Sequence, residues 1–149
     1  MANPGQVIEN GRGHRIIFRK TSADTNGELL QFEEYLAPNG LGPPEHIHLR
    51  QVERLQVLSG TMSAKISGRQ QRIRAGDEVA IPAGKPHRWW NDGEEELHLR
   101  TEFRPALHFE WIIERAFELM AKSHGAIKPE EIAPLLNHYK DEYQLVGIH

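Results

Sequence analysis

His46 and His48 flank Ile47 in the stretch GPPEHIHLRQVERLQVLSG, residues 42–60, and Glu53 follows shortly after. On a strand, side chains two apart share a face, so the two imidazoles can be presented toward one point across about 7 Å of chain. That is a geometry ready for chelation. Glu53 lies five positions after His48, the wrong parity for one straight strand. If Glu53 also faces inward, a bend or loop at residues 49–51 must reset the phase.

A further imidazole comes from His87 in GDEVAIPAGKPHRWWN, where Pro82 and Gly84 form a tight turn, Pro86 keeps the chain extended and His87 opens a new strand. From a neighbouring strand it can enter the same cavity. Three imidazoles and one carboxylate suit one borderline divalent ion, iron(II), manganese, cobalt, nickel, copper or zinc, with positions open for water or substrate. Calcium is disfavoured by so nitrogen-rich a set. The chain has no cysteine, which removes thiolate ligands, a cysteine nucleophile and disulfides from consideration. Taken alone, an HxH pair is more often a pair of hydrogen-bonded strand histidines, and Glu53 a surface carboxylate.

The elements that must position these side chains are short. HRIIFRK, ELLQFEEYL, ERLQVLSG, TMSAKISG, RQQRIRAG and DEVAIP are separated by glycine or proline, and the β pattern resumes with HRWWN and EELHLRTEFRP. Turn residues every eight to twelve positions mark an all-β sandwich or barrel. Met62, Ala64 and Ile66 alternate with polar neighbours, as do Glu53, Leu55 and Val57, so each strand has a face for an interior. After Pro105 the period changes. Phe109, Ile112, Ile113, Ala116, Phe117 and Met120 recur at three- and four-residue steps, with Gly125 as a stop. A second helix is expected from Pro129 or Glu130 to about Tyr143, with Pro134 a possible break. The expected organisation is an N-terminal arm at 1–13, a β-barrel at 14–105 and a helical extension at 106–149 packed on the barrel.

With 149 residues the chain suits one domain. Eighteen basic and 21 acidic residues, net charge −3, form neither a basic stripe nor an acidic tail, so nucleic acid is not an expected partner. No stretch reaches the apolar length of a membrane span and no secretory h-region follows the start; a cytoplasmic protein without membrane association is expected. No nucleophile elbow, P-loop or dinucleotide fingerprint is present.

The residues form a larger pattern that resembles the cupin superfamily of small β-barrels. Its first motif, G, five residues, HxH, three or four residues, E, six residues, G, is filled by Gly40, His46, His48, Glu53 and Gly60. Its second, G, five residues, PxG, two residues, H, three residues, N, is filled by Gly76, Pro82, Gly84, His87 and Asn91. The resemblance covers residues 14–105 and implies a double-stranded β-helix, or jelly-roll, barrel of the small single-domain kind. It makes His46, His48, Glu53 and His87 the ligands of one divalent transition-metal ion, with Gly60, Gly76 and Gly84 in turns. It implies dioxygenase-type oxidoreductase chemistry on a small organic substrate first, and metal-dependent isomerase or lyase chemistry second. A non-catalytic barrel that binds a sugar or signal molecule remains the other reading.

In the enzymatic reading Glu53 doubles as a proton shuttle and is the expected catalytic residue. Trp89 alternates with His87 and is expected inside the barrel, walling a substrate cavity with Leu55 and Val57, while Trp90 points outward. Glu45, Arg50, Arg54 and Gln56 flank the ligands and are secondary candidates for acid, base or supporting roles. Exposed strand edges and the family's habit of pairing through its sheets make a homodimer the expected assembly.

Overall fold

The computed structural model describes residues 2–124 and 127–147. Eleven strands and three helices follow in chain order: β1 (Val7–Glu9), β2 (His14–Lys20), α1 (Ser22–Thr25), β3 (Leu30–Leu36), β4 (His46–His48), β5 (Val52–Ser59), β6 (Thr61–Ile66), β7 (Arg69–Arg74), β8 (Glu78–Ile81), β9 (His87–Trp90), β10 (Leu97–Arg104), α2 (Phe109–Lys122), α3 (Pro129–His138) and β11 (Tyr143–Leu145). They form a six-stranded sheet, β1-β2-β3-β10-β5-β8, and a five-stranded sheet, β11-β4-β9-β6-β7. Neighbouring strands run antiparallel. The all-β expectation holds, with the jelly-roll order of a small barrel.

Period-two alternation decides which side chains enter the space between the sheets. Leu30, Phe32, Glu34 and Leu36 of β3 point inward, as do Leu97, Leu99, Thr101 and Phe103 of β10. The register sets Phe103 opposite both Leu30 and Glu53, and Thr101 opposite Phe32 and Leu55. One end of the interior is filled from both sheets, where Leu36, Leu55, Val57 and Leu99 meet Met62, Ala64 and Trp89. At the other end the second sheet does not supply the apolar wall. Phe109, Ile112 and Phe117 of α2 close over Ile16, Phe18, Phe32 and Phe103 instead.

The helical extension is therefore built into the core, and α2 lies against β1 while α3 lies against α2. Two short strands add to the expected organisation. Val7–Glu9, inside the arm at 1–13, pairs with β2, and Tyr143–Leu145, inside the extension at 106–149, pairs with β4. The second helix stops at His138 rather than near Tyr143. Its end is turned back by hydrogen bonds from the backbone N–H of Glu142 and Tyr143 to the Tyr139 carbonyl. The Glu142 carboxylate pins that turn by accepting from the His108 backbone N–H and ring Nδ1. The expected helix stop at Gly125 lies outside the described residues.

Gly60, Gly76 and Gly84 all adopt left-handed φ, +82°, +94° and +83°. Gly42 is constrained twice, because its φ is +67° and a Cβ there would lie 2.0 Å from the Trp89 carbonyl oxygen. Only glycine lets the chain pass this close to β9 before entering β4. Among the described residues no helix is long and apolar enough to cross a membrane.

Candidate metal centre

Strand β4 is three residues long and alternates, so Ile47 turns outward while His46 and His48 are buried. It ends at His48; the chain bends at residues 49–50 and re-enters a strand at Val52 in the opposite sheet. This is the break that the parity of Glu53 requires. Gln51 anchors the crossing: buried at 1% exposure, its side-chain amide donates to the carbonyls of Pro105 and Ala106. Glu53 then faces back across the interior. His87, first residue of β9, is paired in register with His46.

Ligating atoms of His46, His48, Glu53 and His87 lie within 4.8 Å of one another, and all four residues are buried. Each of two rings is oriented by a carbonyl: His46 Nδ1 donates to Pro44 O at 2.7 Å and His87 Nδ1 to Lys85 O at 2.9 Å. That leaves their Nε2 atoms for the centre. His87 Nε2 lies 2.9 Å from Glu53 Oε1, and His48 Nε2 lies 3.7 Å from the same oxygen. Among the described residues neither ring nitrogen of His48 has a partner in good hydrogen-bond geometry, and the Gln51 side chain raises its pKa only against the larger effect of burial. A fully buried polar ring without a partner is costly, and an ion within reach of Nε2 removes that cost. The nitrogen-rich donor set with one carboxylate fits a borderline divalent transition ion.

Electrostatics point the same way. Burial, with the charge of His87 adding to it, pushes His46 down to about 3, and burial with both neighbouring imidazoles holds His48 well below the ordinary range. Both rings are neutral at physiological pH, the form that binds metal. Burial raises the Glu53 carboxyl, against the hydrogen bond and charge of His87. Burial alone would lower His87, but the hydrogen bond and charge of Glu53 raise it.

The cluster opens into a cavity of about 640 Å³ between the barrel and the two long helices. Most of its wall is apolar, from Phe32, Phe103, Phe109, Ile112 and Phe117 among others. Phe103 and Phe109 each bring a ring centroid to 4.7 Å from that of His48. Tyr143 of β11 stands opposite His48 in the ladder, its ring 5.2 Å from His46 and 5.4 Å from His48, and lines the same cavity. Burial and the charge of Glu53 raise its phenol well above the ordinary range, so it stays protonated.

The expected cavity wall of Leu55, Val57 and Trp89 needs correction. All three are buried in the packed end of the barrel, and the cavity is lined by other residues. Parity is the reason: Leu55 and Val57 share the inward face of Glu53, but each step of two residues carries them about 7 Å further along the strand, away from the helices. Trp89 stands behind the cavity wall, its ring edge-on to His14 at 5.5 Å and its carbonyl against Gly42. Arg50 and Arg54 are exposed, and Gln56 with Arg54 lines a small depression on the outer face of the sheet. Glu45 is half-buried, and its charge adds to the raising of His87. Not anticipated from the sequence were Gln51, Tyr143, His14 and Glu34, the last two also lining the cavity. Glu34 was accessible to the strand pattern, as the one carboxylate at an inward position of LQFEEYL.

Residues 32–102 match the family described as Cupin domain. Among curated sequences, a probable oxidoreductase virH of Hypocrea virens is 36% identical over 74 residues, 47% of this chain and 34% of the relative. Oxidoreductase OpS7 of Beauveria bassiana is 43% identical over 79 residues, 48% of this chain and 26% of the relative. The match thus takes in about a third of one relative and a quarter of the other. Among solved structures, an RmlC-like cupin from Shewanella frigidimarina superposes with a TM-score of 0.61 at 19% identity, covering 74% of this chain and 92% of that one. That likeness is one of fold.

Proposed function

We infer that this chain, a member of the cupin superfamily, is a metal-dependent oxidoreductase of dioxygenase type acting on a small organic substrate. The observation that carries the reading is the convergence of four buried ligating groups, one of them His48 with no well-placed hydrogen-bond partner on either ring nitrogen, at the end of an apolar chamber. The oxidoreductase names of the two sequence relatives support the reaction class.

In this reading His46, His48, Glu53 and His87 would hold one divalent transition-metal ion, which would supply Lewis-acid and redox chemistry. The chain's own groups do the rest. The Pro44 and Lys85 carbonyls keep His46 and His87 in the Nδ1–H tautomer, aiming Nε2 inward. Phe103 and Phe109 exclude water from the His48 side, which strengthens every charge interaction there. Glu53, the one carboxylate among the four, is the group placed to take up a proton from a substrate hydroxyl. Tyr143 stays a neutral donor and orients the substrate's oxygen. A mainly apolar chamber favours aromatic or aliphatic substrates over sugars.

The test is to purify the chain, quantify bound metals and follow oxygen uptake with iron(II), manganese, nickel or copper against diketones, catechols, flavonols and thiols. Metal-dependent uptake lost in His48→Ala is the expected result. Tight binding of such compounds without turnover assigns the protein to the binding modules instead, and absence of bound metal under every ion overturns the centre itself.

A further inference from the structure

The chamber has a second polar corner. His14, first residue of β2, and Glu34, in the middle of β3, are both 5% exposed, and both line the cavity. Glu34 Oε1 accepts from His14 Nε2 at 2.8 Å, and its other oxygen accepts from the Thr101 hydroxyl. Thr101 stands opposite Leu55 in the β10–β5 ladder, whereas Phe103 stands opposite Glu53. Thr101 therefore stands one inward step deeper in the barrel than Glu53, and Glu34, opposite Leu99, one step deeper again.

Packing alone does not call for these groups. The other inward positions of β3 are Leu30, Phe32 and Leu36, and burying polar groups costs free energy that an apolar residue there avoids. The pair is also firmly oriented. Asn10 Oδ1 accepts the His14 backbone N–H, and the imidazole is packed edge-on by Phe117 at 4.9 Å and Trp89 at 5.5 Å. An imidazole fixed by a carboxylate on one nitrogen offers its other nitrogen in a defined state. In a neutral ring, a carboxylate that accepts from Nε2–H leaves a lone pair on Nδ1.

We propose that His14, held by Glu34 and Thr101, is the anchoring site for a hydroxyl group on a largely apolar ligand whose other end reaches the candidate metal centre. This deepens the proposed function and rests on its reading that the substrate occupies this chamber. The ligand class is an aromatic or aliphatic alcohol or phenol: its hydrocarbon body meets Ile16, Phe32 and Phe117, and its O–H donates to Nδ1. An ether or bare hydrocarbon of the same shape leaves that lone pair unpaired, which is where such a site discriminates. His14 acts here as a specificity residue.

The experiment uses the full chain in EDTA and compares 2-naphthol with its methyl ether by calorimetry. The expected result is about tenfold tighter binding of the naphthol, a preference lost in His14→Phe while the ether's affinity stays within about twofold. Equal affinities in the unaltered protein, a preference that survives His14→Phe, or no binding of either compound overturns the proposal. Should His14→Phe not fold, nitrogen-15 spectra of the unaltered protein decide: the His14 Nδ1 resonance is expected to move with naphthol and not with the ether, and an unmoved resonance overturns it. Because EDTA is present throughout, failure here is separate from failure of the metal reading, which is judged by metal content and oxygen uptake.

Discussion

His87 Nε2 lies 2.9 Å from Glu53 Oε1, a contact made between the two sheets, since His87 opens β9 in one and Glu53 lies near the start of β5 in the other. The contact raises the affinity of His87 for its proton despite burial. A metal ion that takes Nε2 must displace that proton. Uptake of zinc at pH 6 is expected to release about one proton from the His87–Glu53 pair, and the release to fade as pH rises through the raised His87 pKa. Calorimetry in buffers of different ionisation enthalpy measures it directly. Zinc uptake at pH 6 with no proton release refutes this coupling.

Metal-free protein is expected to be acid-sensitive. His46 and His48 are both depressed in the folded state, His46 from 6.5 to about 3. Below pH 6.5 the unfolded chain gains protons at these rings and the folded chain does not, so the stability they contribute is lost as pH falls toward 3. His87 and Glu53 are both raised, so the folded chain holds their protons more tightly, and they offset part of the loss. At about 1.4 kcal/mol per pKa unit the His46 contribution is on the order of several kcal/mol. Urea midpoints in EDTA at pH 7, 6, 5 and 4 are expected to fall steadily, and less steeply in His46→Phe. A flat profile across that range counts against the burial argument.

Much of this arrangement was legible in the residues. HxH on a strand determined that His46 and His48 share a face, and the odd spacing to Glu53 required the bend that the structure has at residues 49–50. Parity, however, gives face and not depth. That is why Leu55 and Val57, correctly inward, belong to the packed end and not to the cavity. Tyr143 was hidden for a different reason. Its strand is three residues long and exists because β4 offers an edge to pair with, and such pairing energy is tertiary, invisible in a local window. The second helix ends early because the Glu142 carboxylate finds His108, 34 positions away.

Gln51 holds the crossing between the sheets. Its amide satisfies two carbonyls, Pro105 and Ala106, just before α2. Gln51→Leu keeps the volume but leaves both oxygens without this donor, at a cost of about 1–3 kcal/mol. Because the same residue sits between His48 and Glu53, metal affinity is expected to fall as well, by roughly tenfold or more. Chemical denaturation and metal titration on the one variant read the two effects. Full metal affinity in a destabilised variant would show that the crossing is structural only.

His48 offers the sharpest division between stability and function. It is 2% exposed, neither ring nitrogen has a partner in good hydrogen-bond geometry among the described residues, and Phe103 and Phe109 pack against it. Without metal, replacing this ring by an apolar side chain of similar volume removes a desolvation cost and keeps the packing. His48→Leu is therefore expected to stabilise the metal-free protein by about 1–3 kcal/mol. With an ion present the order reverses. An ion at a hundred times its dissociation constant stabilises the unaltered protein by about 2.7 kcal/mol, and His48→Leu should show little of that gain. Melting curves of both proteins, in EDTA and with added zinc or iron(II), are expected to cross. Were His48→Leu less stable than the unaltered protein in EDTA, the ring would have a structural partner there, and no ion would be needed to account for its burial.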